Sequence, residues 1–323
     1  MAAQQRHLRI PAPLWNDRAE LPRAALLSGA VLFVYLLTLC PSVAGGDSGE
    51  LVAVTCQFGT AHPPGYPLFT LIAKLFSWIP VGEVAWRVNF LSAVCDALAA
   101  GVVHLLAARW TRNWRVGALA AGIFAFAPAV WQFAVIAEVL ALNNLLVAAL
   151  LFFSLRHHQE GRFSDLRWGA FIIGLGLSNH HSLVFWAIPL IVWTLSQRPR
   201  ELLRVRPLFE LIACGFAGLL PYLYLPIASR WPQTTSWGDQ TSWSGFLTHL
   251  LREEYGTFSL GVNAKHEGGD WPLRIWFYLK RVPVQLLYFG PVVALWGVWV
   301  SWKNSARVAG STSFLKITAF TAA

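Results

Sequence analysis

The chain has 323 residues, of which 56% are hydrophobic and only 13% are charged. A soluble domain carries about 25% charged residues, so this composition excludes an ordinary water-soluble enzyme. The net charge of +9 invites a nucleic-acid partner, but the arginines gather in short segments between apolar blocks, a pattern that orients membrane spans, and no nucleic acid is expected.

Crossing a bilayer core takes about 20 apolar residues in a helix. Backbone in lipid must satisfy its own hydrogen bonds, so the apolar blocks predict helices and the fold class is an all-α polytopic membrane protein. Residues 1–23 form a basic tail with Arg6, Arg9, Arg18 and Arg23, placed in the cytoplasm. The first span runs from about Ala24 to Cys40. Ser42-Val43-Ala44 resembles a signal-peptide cleavage site, but the leader would be long and the block is nearly full length, which favours an uncleaved span.

A long loop follows over about 41–87. Its apolar stretch from Leu68 to Ile79 is short and bounded by prolines, and reads as an interfacial or re-entrant helix. The second span is Val88 to Ala108, followed by a basic turn with Arg109, Arg112 and Arg115. Spans from Val116 to Ala134 and from Val139 to Leu155 come next, then Arg156, Arg162 and Arg167. Two short helices, Trp168 to Leu177 and Leu183 to Leu195, flank Asn179-His180-His181. Arg198, Arg200, Arg204 and Arg206 precede a span from Leu208 to Leu225. A second long loop covers about 226–282, and the last span is Pro283 to Trp302. This gives eight membrane segments in one bundle over 24–302, with a short cytoplasmic tail at 303–323. Every arginine-rich turn falls on one side and both long loops on the other. Of the four cysteines, Cys40 and Cys56 flank the first loop; no metal-ligand spacing is present, and all four are expected to be free.

The densest polar set lies in the long loops. Asp47 and Glu50 follow Gly45-Gly46 directly after the first span. Ser48 or Asp47 can cap a helix starting near Gly49, with Glu50 in its first turn. The rival reading is a general base at the membrane surface, and from spacing alone the cap leads. His62-Pro63-Pro64-Gly65-Tyr66-Pro67 is a rigid turn whose His62 and Tyr66 either redirect the chain or line a pocket. Glu138 lies between two spans, where a carboxylate faces protein or water, or caps a helix. His180 and His181 are adjacent on the chain, point in different directions and make no metal site. In the second loop, Arg252 can meet a phosphate with its planar fork, or pair with Glu253, Glu254 or a headgroup.

GGDSGEL, AHPPGYPLFTLIAKL, WRVN, AEVLALNNL, SNHHSL and WGDQTSWSGFLTHLLREEYGTFSL occur in this order. Together, over roughly Ala24 to Leu260, they resemble the transmembrane protein 260 group, an O-mannosyltransferase family of the endoplasmic reticulum. The resemblance implies a GT-C-type helix bundle with two long luminal loops and a catalytic acid in the first. The donor it implies is dolichyl-phosphate mannose, with no further cofactor and no metal. The acceptors it implies are Ser or Thr on IPT domains of plexin- and MET-type receptors. Carried onto this chain, the catalytic acid is Asp47, with Glu50 as second candidate. His62, Tyr66, Arg87, Asn89, Glu138, His180, Asp239, Arg252, Glu253 and Tyr255 are the expected substrate-binding residues, Arg252 and Arg87 beside the phosphate. Family members run to about twice this length, and the segment from Lys303 departs from their pattern, so a shortened, inactive product is one alternative. A transporter or flippase for a lipid-linked sugar is the other.

Overall fold

The computed structural model describes residues 17–197, 204–231, 235–254 and 271–303. Most of the N-terminal tail, Arg198, Arg200, Tyr255 and the C-terminal tail lie outside them. The described residues are helical, apart from turns and a single isolated bridge between Thr60 and Ser236. In chain order the helices are α1 (Asp17–Thr38), α2 (Ser48–Gln57), α3 (Pro67–Ser77), α4 (Val84–Thr111), α5 (Trp114–Ala125), α6 (Pro128–Ala134) and α7 (Val139–Glu160). These are followed by α8 (Phe163–Leu177), α9 (Val184–Gln197), α10 (Val205–Gly218), α11 (Tyr224–Ala228), α12 (Trp243–Leu250), α13 (Trp271–Gln285) and α14 (Gly290–Lys303).

Three of these helices, α1, α4 and α7, are long and apolar enough to cross a bilayer unaided, and up to six spans result if each bent pair counts as one. The first bent pair has a plain cause. Pro128 opens α6, and a proline disfavours helical backbone at the residue before it, so α5 stops short and the span turns by 68°. α10 and the Leu220–Ala228 segment bend by 44° where Pro221 sits in a short 3-10 turn. α8 and α9, at 15 and 14 residues, fall short of the roughly 17-residue floor for a full crossing.

Side-chain contacts define two ends of the bundle. At one end Arg109 bonds Gln159 and Glu160, Arg156 pairs with Asp165, Arg162 with Glu160, and Arg206 with Glu210. The same end holds a buried His104–Glu20 contact of 3.1 Å. The described arginine-rich turns therefore share one face. At the other end the connections are tied by side chains that donate to backbone carbonyls. Asn89 Nδ2 donates to the carbonyls of Cys40 (2.8 Å) and Ser42 (3.0 Å), and Asn179 Nδ2 to that of Val139 (3.0 Å). Ser92 Oγ accepts from the Glu138 amide at 3.2 Å. Buried backbone groups need partners, and these amides and hydroxyls supply them where helices end.

One expectation changes. The last span is not one helix over Pro283 to Trp302: α13 ends at Gln285, Leu287 and Tyr288 take left-handed backbone at φ 55° and 61°, and α14 leaves at 91° to α13. The two long loops hold short helices, in the first near the expected positions. The first contains α2 and α3, packed into the main core through Leu51, Val54 and Phe69. The second contains α11, α12 and most of α13. Short helices let these segments satisfy their own backbone while covering the end of the bundle. All four cysteines are free.

Candidate active site

The site is built on the first turn of α2. Asp47 stands at the N-cap position, yet its side chain makes no capping hydrogen bond. Its backbone is already helical (φ −77°, ψ −5°) rather than extended, and an extended backbone is what normally lets a cap side chain reach back to the free amides. The Asp47 carboxylate is instead 56% exposed, with Oδ2 3.9 Å from His62 Nε2. The capping interpretation of Asp47 therefore fails on geometry.

Glu50 has a different task. Its Oε1 accepts from the His62 amide at 2.6 Å and its Oε2 meets His62 Nδ1 at 2.9 Å. One carboxylate thus grips both the backbone and the ring of the same histidine. Burial acts to raise the Glu50 pKa and to lower that of His62. The hydrogen bonds and opposite charges outweigh it, so Glu50 is held below its ordinary value and His62 above it. This favours a charged contact between the two, and both His62 nitrogens are engaged, because Nε2 also lies 2.8 Å from Tyr66 Oη.

Around this pair stand three further groups. Tyr66 stacks on His180, with ring centroids 5.9 Å apart. His180 Nδ1 accepts from the Ser182 amide and contacts its hydroxyl at 2.7 Å, and burial lowers its pKa to about 4, so this ring is neutral. Glu138, at the N-cap of α7, is raised by burial and then by the negative charge of Asp47. The positive charge of Arg252 acts to lower the pKa values of His62, Tyr66, His180 and His181. Its backbone is left-handed at φ 58°.

The second long loop docks on the first. The Trp237 amide donates to the Thr60 carbonyl at 3.0 Å, Tyr224 Oη to that of Gly59 at 2.6 Å, and the Thr235 amide to Gln57 Oε1 at 2.9 Å. His249, buried on α12, fills the space under the His62–Tyr66 turn. A Cβ on Gly65 (φ +93°) would stand 3.1 Å from His249 Nε2 and 2.9 Å from Leu225, so this turn accepts only glycine. Burial lowers the His249 pKa to about 4.

Of the residues expected from sequence, Asp47, Glu50, His62, Tyr66, Glu138, His180 and Arg252 converge here. Arg87 does not: its guanidinium donates to the carbonyls of Ser77 (2.8 Å), Val81 (3.0 Å) and Gly82 (2.8 Å), closing the turn between α3 and α4. Three of its five N–H donors are spent on backbone, so in this structure it acts as a structural clamp. Asn89 ties down the exit of α1, as described. Asp239 is fully exposed and accepts from the amide and hydroxyl of Thr241 at 2.9 and 2.6 Å, a local turn away from the cluster. Glu253, exposed, accepts from Thr248 Oγ1 at 3.0 Å. Tyr255 lies outside the described residues. The sequence reading omitted His249 and Trp237, although the fixed glycines at Gly65 and Gly238 hinted at close packing there. His181 was noted without a partner; its Nε2 meets Tyr222 Oη at 3.0 Å, and that hydroxyl donates to the Leu177 carbonyl.

Asp47, Glu50 and His62 each present one ligand atom within 4.8 Å of the others. A histidine that binds a metal must offer a lone pair. His62 already bonds Glu50 and Tyr66, and its raised pKa favours the imidazolium, which has none. The arrangement is better suited to holding a charge beside Asp47 than to caging a cation.

Residues 47–203 match the family model described as the protein O-mannosyl-transferase TMEM260 N-terminal domain. The chain is 44% identical over 267 residues to the protein O-mannosyl-transferase TMEM260 of Mus musculus, covering 79% of this chain and 37% of that relative. It is 35% identical over 296 residues to the protein O-mannosyl-transferase tmem260 of Dictyostelium discoideum, covering 84% and 35%. The chain thus matches little more than a third of the length of these relatives. No solved structure matches it.

Proposed function

We propose, from the match of residues 47–203 to the TMEM260 family model and from the two relatives, that this chain carries the reacting part of a GT-C-type protein O-mannosyltransferase. The reaction moves mannose from dolichyl-phosphate mannose to Ser or Thr hydroxyls of IPT domains in plexin- and MET-type receptor ectodomains. It takes place at the luminal face of the endoplasmic reticulum membrane, with the donor as substrate and no other cofactor.

The observation that carries this reading is Asp47: an exposed carboxylate, free of capping duty, held beside an ion-paired histidine. In the proposed step Asp47 takes the proton of the acceptor hydroxyl. The hydroxyl oxygen attacks the anomeric carbon, inverting it, and the bond from that carbon to the phosphate oxygen breaks. Dolichyl phosphate leaves with the bonding pair and the developing negative charge. Arg252, whose charge reaches His62 and Tyr66, is the cation we assign to stabilising that charge. A transporter reading is less well supported, because transporters place their polar groups near the membrane midplane, whereas this cluster sits at one end of the bundle.

The test is transfer of labelled mannose from dolichyl-phosphate mannose to a purified IPT domain, with this chain and with a full-length relative carrying matched changes. Asp47 makes no capping hydrogen bond and Asn is nearly its isostere, so Asp47→Asn keeps the fold and removes only the base. Turnover should fall about a hundredfold or more with membrane insertion unchanged. Full activity in Asp47→Asn would exclude Asp47 from the chemistry, and loss confined to Glu50→Gln would transfer the role to Glu50.

A further inference from the structure

Trp237 is the feature of this end of the molecule that the mechanism leaves unused. Its backbone is pinned on both sides. The amide donates to the Thr60 carbonyl, and the Trp237 carbonyl accepts from Gln240 Nε2 at 2.6 Å. Gln240 is buried and its Oε1 accepts from Ser229 Oγ at 2.5 Å, which anchors this turn to the end of α11. Gly238 follows at φ +66°, where a Cβ would press on Gln240 Nε2 at 2.9 Å. A buried amide and a left-handed glycine are thus committed to holding one tryptophan in place.

The indole itself is left open. It is 41% exposed and meets His62 in a T-shaped contact, with centroids 6.4 Å apart and planes at 73°. Asp47 approaches the same imidazole from Nε2. Trp237 and Asp47 thus both neighbour one imidazole. Other exposed indoles of the second loop have ordinary aromatic company: Trp231 stacks on Phe58 and Trp243 on Phe246. Those suit a membrane–water interface, where tryptophan collects. Trp237 differs in packing against the ionised cluster.

We propose that Trp237 is a stacking platform for a pyranose ring, holding the hexose of the donor beside Asp47. A pyranose has one face lined with C–H bonds, weakly positive at hydrogen, and an indole face is negative through its quadrupole. The fit is flat against flat, and desolvation of both surfaces adds to it. The sugar hydroxyls then remain at the rim for Glu138, His180 or Tyr66. The proposal rests on the glycosyltransferase reading above and adds the subsite that orients the sugar.

The experiment is saturation-transfer NMR on this chain in nanodiscs, with a water-soluble short-chain prenyl phosphomannose as probe. In the unsubstituted protein, saturation should reach the ring C–H protons of mannose. Trp237→Ala should remove that transfer and weaken binding at least tenfold. Trp237→Phe, which keeps a flat apolar face, should stay within about threefold of the parent, and Trp243→Ala should match it. The saturation pattern separates stacking from a merely structural role, since a loosened loop would weaken every proton's signal alike. Equal binding and equal saturation in Trp237→Ala would overturn the platform alone. Failure of the parent chain to bind the probe, with Asp47→Asn fully active in the transfer assay, would overturn both this subsite and the reading beneath it.

Discussion

Asp47 and Glu50 share one turn of α2 but have been given opposite surroundings. Glu50 is turned inward to His62, and Asp47 outward to solvent. The ion pair predicts a pH window. Glu50 has a depressed folded pKa, so its contribution to stability is present above its ordinary value and is lost as pH falls through the lowered one. His62 has a raised folded pKa, so its contribution is complete below its ordinary value and is lost as pH rises through the raised one. The pair is therefore intact between those limits. Thermal unfolding in nanodiscs should show Glu50→Gln destabilised across the neutral range. The gap from the parent should shrink as pH rises through the raised His62 pKa, and a gap that stays constant to high pH would contradict the ion pair. The sequence named both acids and His62 but could not assign them. Cap and base look alike in spacing, and what decides between them is that the chain returns twelve residues later to present both an amide and a ring to Glu50.

At the level of elements, apolar length and proline position were enough to place most helices, including the short α3 and the pair α8 and α9. What the pattern could not carry was the use of side chains as fasteners. Arg87 reads as a cation near a loop, and only the fold reveals three carbonyls converging on it. The break between α13 and α14 was equally hidden, since the helical signal runs unbroken through Leu287 and Tyr288. The crossing of α8 and α10 was hidden too, and it is testable. A Cβ on Gly174 would be driven into the carbonyl of Gly215, and one on Gly218 into that of Phe171. Small residues let helices in a bilayer approach this closely. Gly174→Ala gains at most about 1 kcal/mol in helix propensity, while overpacking against rigid backbone costs about 1–3 kcal/mol. Gly174→Ala should therefore lower the unfolding temperature. Gly169→Ala, whose added carbon meets only Leu150 Cδ1 at 3.7 Å, should leave it level or raise it. Equal behaviour of the two would mean that the crossing is looser than described.

For the whole molecule, the arginines did more than mark loops. The turns after α4 and α7 and before α10 come from distant parts of the sequence, yet their arginines meet the same few acids, Glu160, Asp165 and Glu210, at one end of the bundle. The carboxylate cluster lies at the other. Positive residues tend to stay on the cytoplasmic side, so the orientation we propose has the basic end in the cytoplasm and Asp47 on the far side. Two single substitutions test it by creating glycosylation acceptors of the Asn-x-Ser/Thr type. Asp239→Asn makes one in the exposed turn before Thr241, and Asn can keep the accepting oxygen that Thr241 uses. Arg162→Asn makes one before Ser164, at the exposed turn between α7 and α8. Expressed with microsomes, the Asp239→Asn chain should gain a glycan that an endoglycosidase removes, and the Arg162→Asn chain should gain none. The reverse pattern would turn the molecule over, placing Asp47 in the cytoplasm, away from any luminal acceptor.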